Sequence, residues 1–167
     1  PAAVDHIRKS YAGTLYMADL WLGKFLDAMD RYRMWNDTVV VLTTDHGHML
    51  GEQGYWAKNY MLQYRELAQI PMIICDPAGQ GGSRRISALT TTIDLMPTLM
   101  ELHETKLPPY VQGKSLLPVL RGISKTQHDA VLYGTFAKDV NLTDGRYTYC
   151  RQPEEGAEVF HHTAALR

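Results

Sequence analysis

The chain has 167 residues, 45% of them hydrophobic and 21% charged, a balance that supports a globular core and excludes long disorder. Its formal net charge is −1, with basic residues scattered along the chain, so nothing electrostatic favours a nucleic-acid partner or an anionic membrane surface. The two cysteines, Cys75 and Cys150, lack the spacing of a zinc site or a disulfide framework, and no apolar run is long enough to cross a bilayer.

Residues from about Val4 to Met34 contain no proline, and Ile7, Tyr11, Leu15, Ala18, Leu22, Phe25 and Met29 recur at steps of three or four. That spacing predicts a long helix with one apolar face laid on a sheet. Asn36-Asp37 breaks it. Thr38 to Thr44 is β-branched and apolar on both parities, the pattern of a strand buried on both faces in a parallel sheet. Met61 to Ile70 reads as a short helix stopped by Pro71, and Pro71 to Cys75 as a second buried strand. A Gly-rich loop from Gly79 to Ser83 leads through Arg84-Arg85, a solvated pair, to an extended stretch near Ile86 to Leu89.

Thr92 or Asp94 caps the next predicted helix, with Pro97 in its first turn and an end near His103. A further short helix covers Ser115 to Leu120. Val131 to Phe136 and Arg146 to Cys150 read as strands, with Asp144-Gly145 as the hairpin signal. A boundary near Ile123 to Asp129 divides an α/β domain, 1–125, from the start of an antiparallel subdomain, 126–167.

The informative segment is Thr43-Thr44-Asp45-His46-Gly47-His48-Met49-Leu50-Gly51-Glu52. A hydrophobic strand delivers Asp45 and His46 at its C-terminal end, where open α/β sheets bind ligands. Gly47 lets the chain turn there, so that a carboxylate and an imidazole face one point and form half of a divalent-cation site. The dipeptide alone also fits a turn closed by a hydrogen-bonded pair.

Asp45-His46-Gly47, Leu50-Gly51-Glu52, Lys58, Tyr64, Glu66 and Ile70 to Ile74 follow one another in the order and spacing of sulfatases, the branch of the alkaline phosphatase superfamily that includes phosphonate monoester hydrolases. The resemblance continues through Asp94 to Leu99, Gly113 to Gly122 and Asp144 to Tyr149. It implies the second half of an alkaline phosphatase-like α/β fold, with a mostly parallel sheet covered by helices. It implies that Asp45 and His46 are metal ligands and that Lys58 is a catalytic and substrate-binding lysine contacting the charged ester group. His48 is a candidate for lining the substrate pocket, against the plainer reading of a solvent-facing loop histidine. Many relatives have His at Gln53 and Arg at Gln69, so substrate contacts and an ion pair are expected to differ there.

The resemblance further implies one divalent metal ion, calcium foremost with manganese or magnesium as alternatives. It implies a formylglycine nucleophile made from a Cys-x-Pro-x-Arg or Ser-x-Pro-x-Arg motif. Cys75-Asp76-Pro77-Ala78-Gly79 imitates that motif but has Gly79 in place of Arg and follows the Asp-His-Gly segment instead of preceding it, so Cys75 reads as structural. The sequence opens on Pro1 without an initiator Met. The expectation is a piece of a longer enzyme whose N-terminal half carries the nucleophile, inactive by itself and prone to self-association through an exposed sheet edge. The substrate class implied is a small-molecule or carbohydrate sulfate ester. Alternatives are a phosphonate monoester or phosphodiester hydrolase of the same superfamily, or a non-catalytic binding module on this fold. The compartment is left open.

Overall fold

The structure is a computed structural model that describes residues 2–58, 61–79, 84–135 and 138–156. The chain forms two compact units, Pro1–Arg84 and Arg85–Arg167.

The first unit opens with α1, Ala2–Arg31. Asp5 and Lys9 pair across one turn at 2.7 Å, and Arg33, at φ 57°, turns the chain left-handed into a short 3-10 helix, Met34–Asn36. The predicted apolar stripe is present, but Met29 alone is buried in α1. Ile7, Tyr11, Leu15 and Phe25 stay exposed, and so do Tyr16, Met17, Leu20 and Trp21. A helix apolar over so much of its circumference has a surface suited to burial.

Strand β1, Val40–Thr43, pairs with β4, Met72–Cys75, in the register Val40↔Cys75 to Thr43↔Met72. The pair is antiparallel, which corrects the parallel expectation for these two strands. Apolar runs on both parities report burial and carry no information about direction. Among the described residues no parallel pair is present. Leu42 and Ile73 also face outward, so burial on both faces is not realised within this chain. Between β1 and β4 lies a small ladder of β2, Met49–Leu50, and β3, Trp56–Ala57.

The helix expected over Met61 to Ile70 is reduced to one turn, α2, Arg65–Ala68. Met49, Met61 and Leu67 form the core here, with Tyr64 packed against them. Met61 and Leu67 are six residues apart, roughly 240° around an α-helix, so a continuous helix would send them to different faces. Burying both against Met49 requires the irregular path the chain takes.

In the second unit a 3-10 turn, Thr92–Asp94, runs into α3, Leu95–Leu102. The cap is Thr91, one residue before the expected position, and Asp94 completes a capping box. Asp94 is 0% exposed and gathers the unit around its carboxylate. Oδ2 accepts the Thr91 N–H at 3.1 Å, Oδ1 accepts the Lys114 N–H at 2.9 Å, and His128 Nε2 lies 3.0 and 2.8 Å from the two oxygens. Thr98 extends the network: its hydroxyl donates to the Asp94 carbonyl and accepts the Leu116 N–H. Gly113 is required by close approach, because a Cβ there would lie 2.1 Å from the Ile93 carbonyl oxygen.

Helix α4, Leu117–Leu120, follows, with Leu117 and Val119 buried. The stretch near Ile86 to Leu89 forms no strand. Strands β5, Val131–Gly134, β6, Val140–Thr143, and β7, Thr148–Arg151, make a three-stranded antiparallel sheet. The Asp144-Gly145 turn is present but joins β6 to β7. Asp144 Oδ1 accepts the Arg146 and Tyr147 N–H groups, and Gly145 has φ 86°. Strand β6 was hidden because Asp139 and Asn141 are polar. Both are buried, and Asn141 Nδ2 donates to Asp139 Oδ2. Phe136, expected to end β5, lies outside the described residues.

Asp94→Ala removes the acceptor of two backbone N–H groups and of His128. Unfolding free energy should fall by about 3 kcal/mol or more, the scale for stranding several buried polar groups. His128→Ala, which leaves both backbone bonds intact, should cost less. Urea denaturation checks both, and equal losses would show that the backbone contacts carry little.

Candidate functional site

Asp45 and His46 lie just past the end of β1, and their placement starts with Gly47. The Gly47 N–H donates to the Leu67 carbonyl of α2 at 2.9 Å. A Cβ at Gly47 would lie 1.8 Å from the Glu66 carbonyl oxygen. Gly47 is absent from the left-handed glycines, and what it provides is close backbone approach. At the other side, the Thr43 hydroxyl donates to the Pro71 carbonyl at 2.9 Å, tying the ends of β1 and β4 together.

This anchoring brings the two side chains to one point. His46 Nδ1 lies 2.8 Å from the Gly47 carbonyl oxygen. A carbonyl only accepts, so Nδ1 carries the proton and donates. Nε2 then presents its lone pair, 3.3 Å from Asp45 Oδ2 and 2.5 Å from the Lys58 ammonium. This is the arrangement of metal-binding histidines: one nitrogen tied to a carbonyl, the other oriented outward.

The other carboxylate oxygen of Asp45 accepts the His46 N–H at 2.9 Å and the Thr44 hydroxyl at 3.3 Å. Partial dehydration pushes the Asp45 carboxyl up, but the hydrogen bonds from backbone N–H groups and the Thr44 hydroxyl hold it below its ordinary range. Because the folded value lies below the unfolded one, the stability this carboxylate contributes is present above the ordinary carboxylate range. It is lost as pH falls through the depressed value. The Asp45 side chain is 80% exposed and that of His46 37%; the Nε2 lone pair is engaged by the Lys58 ammonium, so an ion bound there would have to displace it.

Lys58 comes back to this point because the β2–β3 ladder folds the chain over. The hairpin is held by Gly51 at φ 104°, Gln53 at φ 52° and Gly54 at φ 76°. The Glu52 carboxylate accepts the Leu50 N–H, and that bond together with Arg8 and His48 nearby holds its carboxyl low. From α1, Arg8 Nε donates to the Leu50 carbonyl at 2.9 Å. His48 turns its ring toward Tyr11, with centroids 5.5 Å apart, and Nδ1 lies 2.9 Å from the Met49 carbonyl. Arg8 and Tyr11 were not singled out for the site from sequence. Their spacing of three does place them on one helix face, but Tyr11 read as part of the core stripe. Gln53 takes a left-handed turn position, and Gln69 accepts a hydrogen bond from Arg65 Nε one turn away.

A carboxylate and a neutral imidazole suit a hard or borderline divalent ion. No group of three or more His, Cys, Asp or Glu residues able to hold a metal occurs among the described residues. No described helix is long and apolar enough to cross a membrane, and Cys75 and Cys150 are free and exposed.

The sulfatase family model matches residues 2–105. A choline-sulfatase of Rhizobium meliloti is 31% identical over 161 residues, covering 91% of this chain and 31% of that protein. A phosphonate monoester hydrolase from Silicibacter pomeroyi superposes with a TM-score of 0.72 at 26% identity, over 80% of this chain and 30% of that one. A protein solved in complex with its substrate D-glucosamine-2-N,6-O-disulfate superposes with a TM-score of 0.67 at 26% identity, over 77% of this chain and 28% of that one. The chain thus spans about a third of the length of these relatives.

Gly47→Ala should be the most damaging single-methyl change in the first unit. Driving a Cβ into the Glu66 carbonyl forces backbone apart, with an expected loss at or above the upper end of overpacking costs, about 3 kcal/mol. A denaturant midpoint equal to that of the unaltered protein would show that the end of β1 is not docked on α2 as described.

Proposed function

The chain belongs to the sulfatase family, and from that premise we propose that it carries half of the active site of a metal-dependent sulfuric ester hydrolase. The observation that carries the proposal is the meeting of Asp45, His46 and Lys58 at His46 Nε2. Asp45 and His46 are the chain's ligands for one divalent ion, with calcium fitting the carboxylate best and manganese or magnesium as alternatives. An ion held there would polarise an ester oxygen. Lys58 places a fixed positive charge where negative charge develops on the sulfuryl oxygens in the transition state. His48, its ring tilted against Tyr11, borders the same loop and is the candidate contact to the substrate's organic portion.

Two further observations support a larger assembly around this half-site. The Asp45 carboxylate is 80% exposed, and α1 exposes apolar side chains over much of its circumference. We place the nucleophile, a formylglycine in the family pattern, and the remaining ligands in residues beyond these 167, where added parallel strands and helices would also cover α1. Residues 126–167 would then open a C-terminal antiparallel subdomain. Without such cover, the unpaired edges of the β1–β4 pair favour self-association.

The proposed substrate is the sulfate ester of a small molecule or carbohydrate, the class named for the choline-sulfatase and the glucosamine disulfate complex. A phosphonate monoester is the second reading, favoured by the TM-score of 0.72 to a phosphonate monoester hydrolase, because the same residues would serve phosphoryl transfer.

The test uses the full-length protein with an aryl sulfate and an aryl phosphonate, with metal content measured alongside. Asp45→Ala should abolish metal-dependent turnover and lower the bound metal. Lys58→Ala should retain metal but lower turnover about a hundredfold, the scale for losing one electrostatic donor. Faster turnover of the phosphonate would move the assignment to the second reading. Unchanged turnover and metal content in Asp45→Ala would remove the ligand role, and absence of any hydrolysis would leave a binding module.

A further inference from the structure

Among the described residues, four that are not glycine have positive φ: Arg33, Gln53, Ala57 and Glu104. Arg33 and Glu104 lie just beyond the ends of α1 and α3, where left-handed residues are ordinary. Gln53 sits in the turn of the β2–β3 hairpin. Ala57 is in neither position. It closes the ladder opposite Met49, with φ 66°, a region that a residue with a Cβ enters only at a cost.

The consequence falls on the next residue. The register Leu50↔Trp56 and Met49↔Ala57 would, if continued, put Lys58 opposite His48. The left-handed turn at Ala57 ends the ladder there, and Lys58 Nζ stands 2.5 Å from His46 Nε2 instead. Met49, opposite Ala57, is fully buried, so the facing strand is fixed and the turn must be made on the Ala57 side. Ala57 itself is exposed, so its side chain fills no core space that would explain the conformation.

We infer that Ala57 is a positioning residue, whose left-handed backbone turns Lys58 out of the ladder and onto His46. The inference rests on the proposed role of Lys58 for its catalytic meaning and on geometry alone for the positioning itself. Strain of this kind concentrates where a side chain has to be aimed. Glycine adopts this φ freely, and asparagine tolerates it. Valine, close to asparagine in size but branched at Cβ, strongly resists it.

The experiment compares Ala57→Gly, Ala57→Asn, Ala57→Leu and Ala57→Val in the full-length protein, with Lys58→Ala as reference. The first readout is the 15N resonance of His46 Nε2 in the metal-free protein, where no ion competes for the lone pair and the resonance reports the hydrogen bond from Lys58. It should move in Ala57→Val toward its position in Lys58→Ala, stay in place in the Gly and Asn variants, and fall between in Leu. The second is turnover. Ala57→Val should lose about tenfold or more, the order expected for misplacing one catalytic group. In a Lys58→Ala background the same change should cost less than about twofold, since the two act as one unit.

An Asn variant that loses as much as Val would mean side-chain bulk, not backbone conformation, is responsible, and would overturn the inference. So would a Val variant with the wild-type resonance, or one whose full loss persists without Lys58. If the resonance follows the expected pattern while Lys58→Ala leaves turnover unchanged, the positioning stands and the catalytic reading of Lys58 fails.

Discussion

The first unit depends on one close approach, the Gly47 backbone against Glu66 and Leu67 of α2. A hydrogen bond from Gly47 N to the Leu67 carbonyl spans a gap with no room for a Cβ. With that contact made, the end of β1 is fixed, His46 Nδ1 finds the Gly47 carbonyl, and Nε2 is turned toward Asp45 and Lys58. Met49, two residues on, drops into the core with Met61 and Leu67. The same contact that orders the hydrophobic cluster thus also orients the imidazole, and folding and site geometry share a single hinge point.

The second constraint is electrostatic. Asp45 is held ionised by hydrogen bonds to one of its oxygens, while the other faces the imidazole nitrogen. Lys58 adds positive charge at the same point. The second unit solves a similar problem in the opposite way. Asp94 is fully buried, and its carboxylate is committed to backbone N–H groups and His128. One aspartate is spent on structure and leaves nothing open. The other is exposed and keeps an oxygen available, and that contrast separates a structural carboxylate from a candidate ligand.

Much of this was legible in the residues. The length of α1, strands β1 and β4, the Asp-His pair at a strand end and the Asp144-Gly145 turn all follow from periodicity or turn chemistry. Strand direction was not legible, because the apolar runs of β1 and β4 carry no sign. Met61 to Ile70 lacks breakers and so reads as one helix, although the six-residue spacing of Met61 and Leu67 argues against one helical face and only Arg65–Ala68 is helical. Strand β6 was missed because its buried face carries Asn141, whose partner Asp139 is polar as well. The return of Lys58 to His46 came from the family resemblance. Residue types alone do not announce a left-handed alanine, and neither periodicity nor spacing reports the φ of Ala57.

The central claim is that Asp45 and His46, with Lys58 beside them, define one cation-binding point. Titration of isotope-labelled protein with Mn2+ tests it most directly, because paramagnetic broadening falls off steeply with distance and registers weak binding. Asp45, His46 and Gly47 should broaden first and Lys58 with them, while Asp94 and His128, already committed to each other, respond only at higher concentration. Broadening centred on Asp94, with residues 45–47 unaffected, would contradict it.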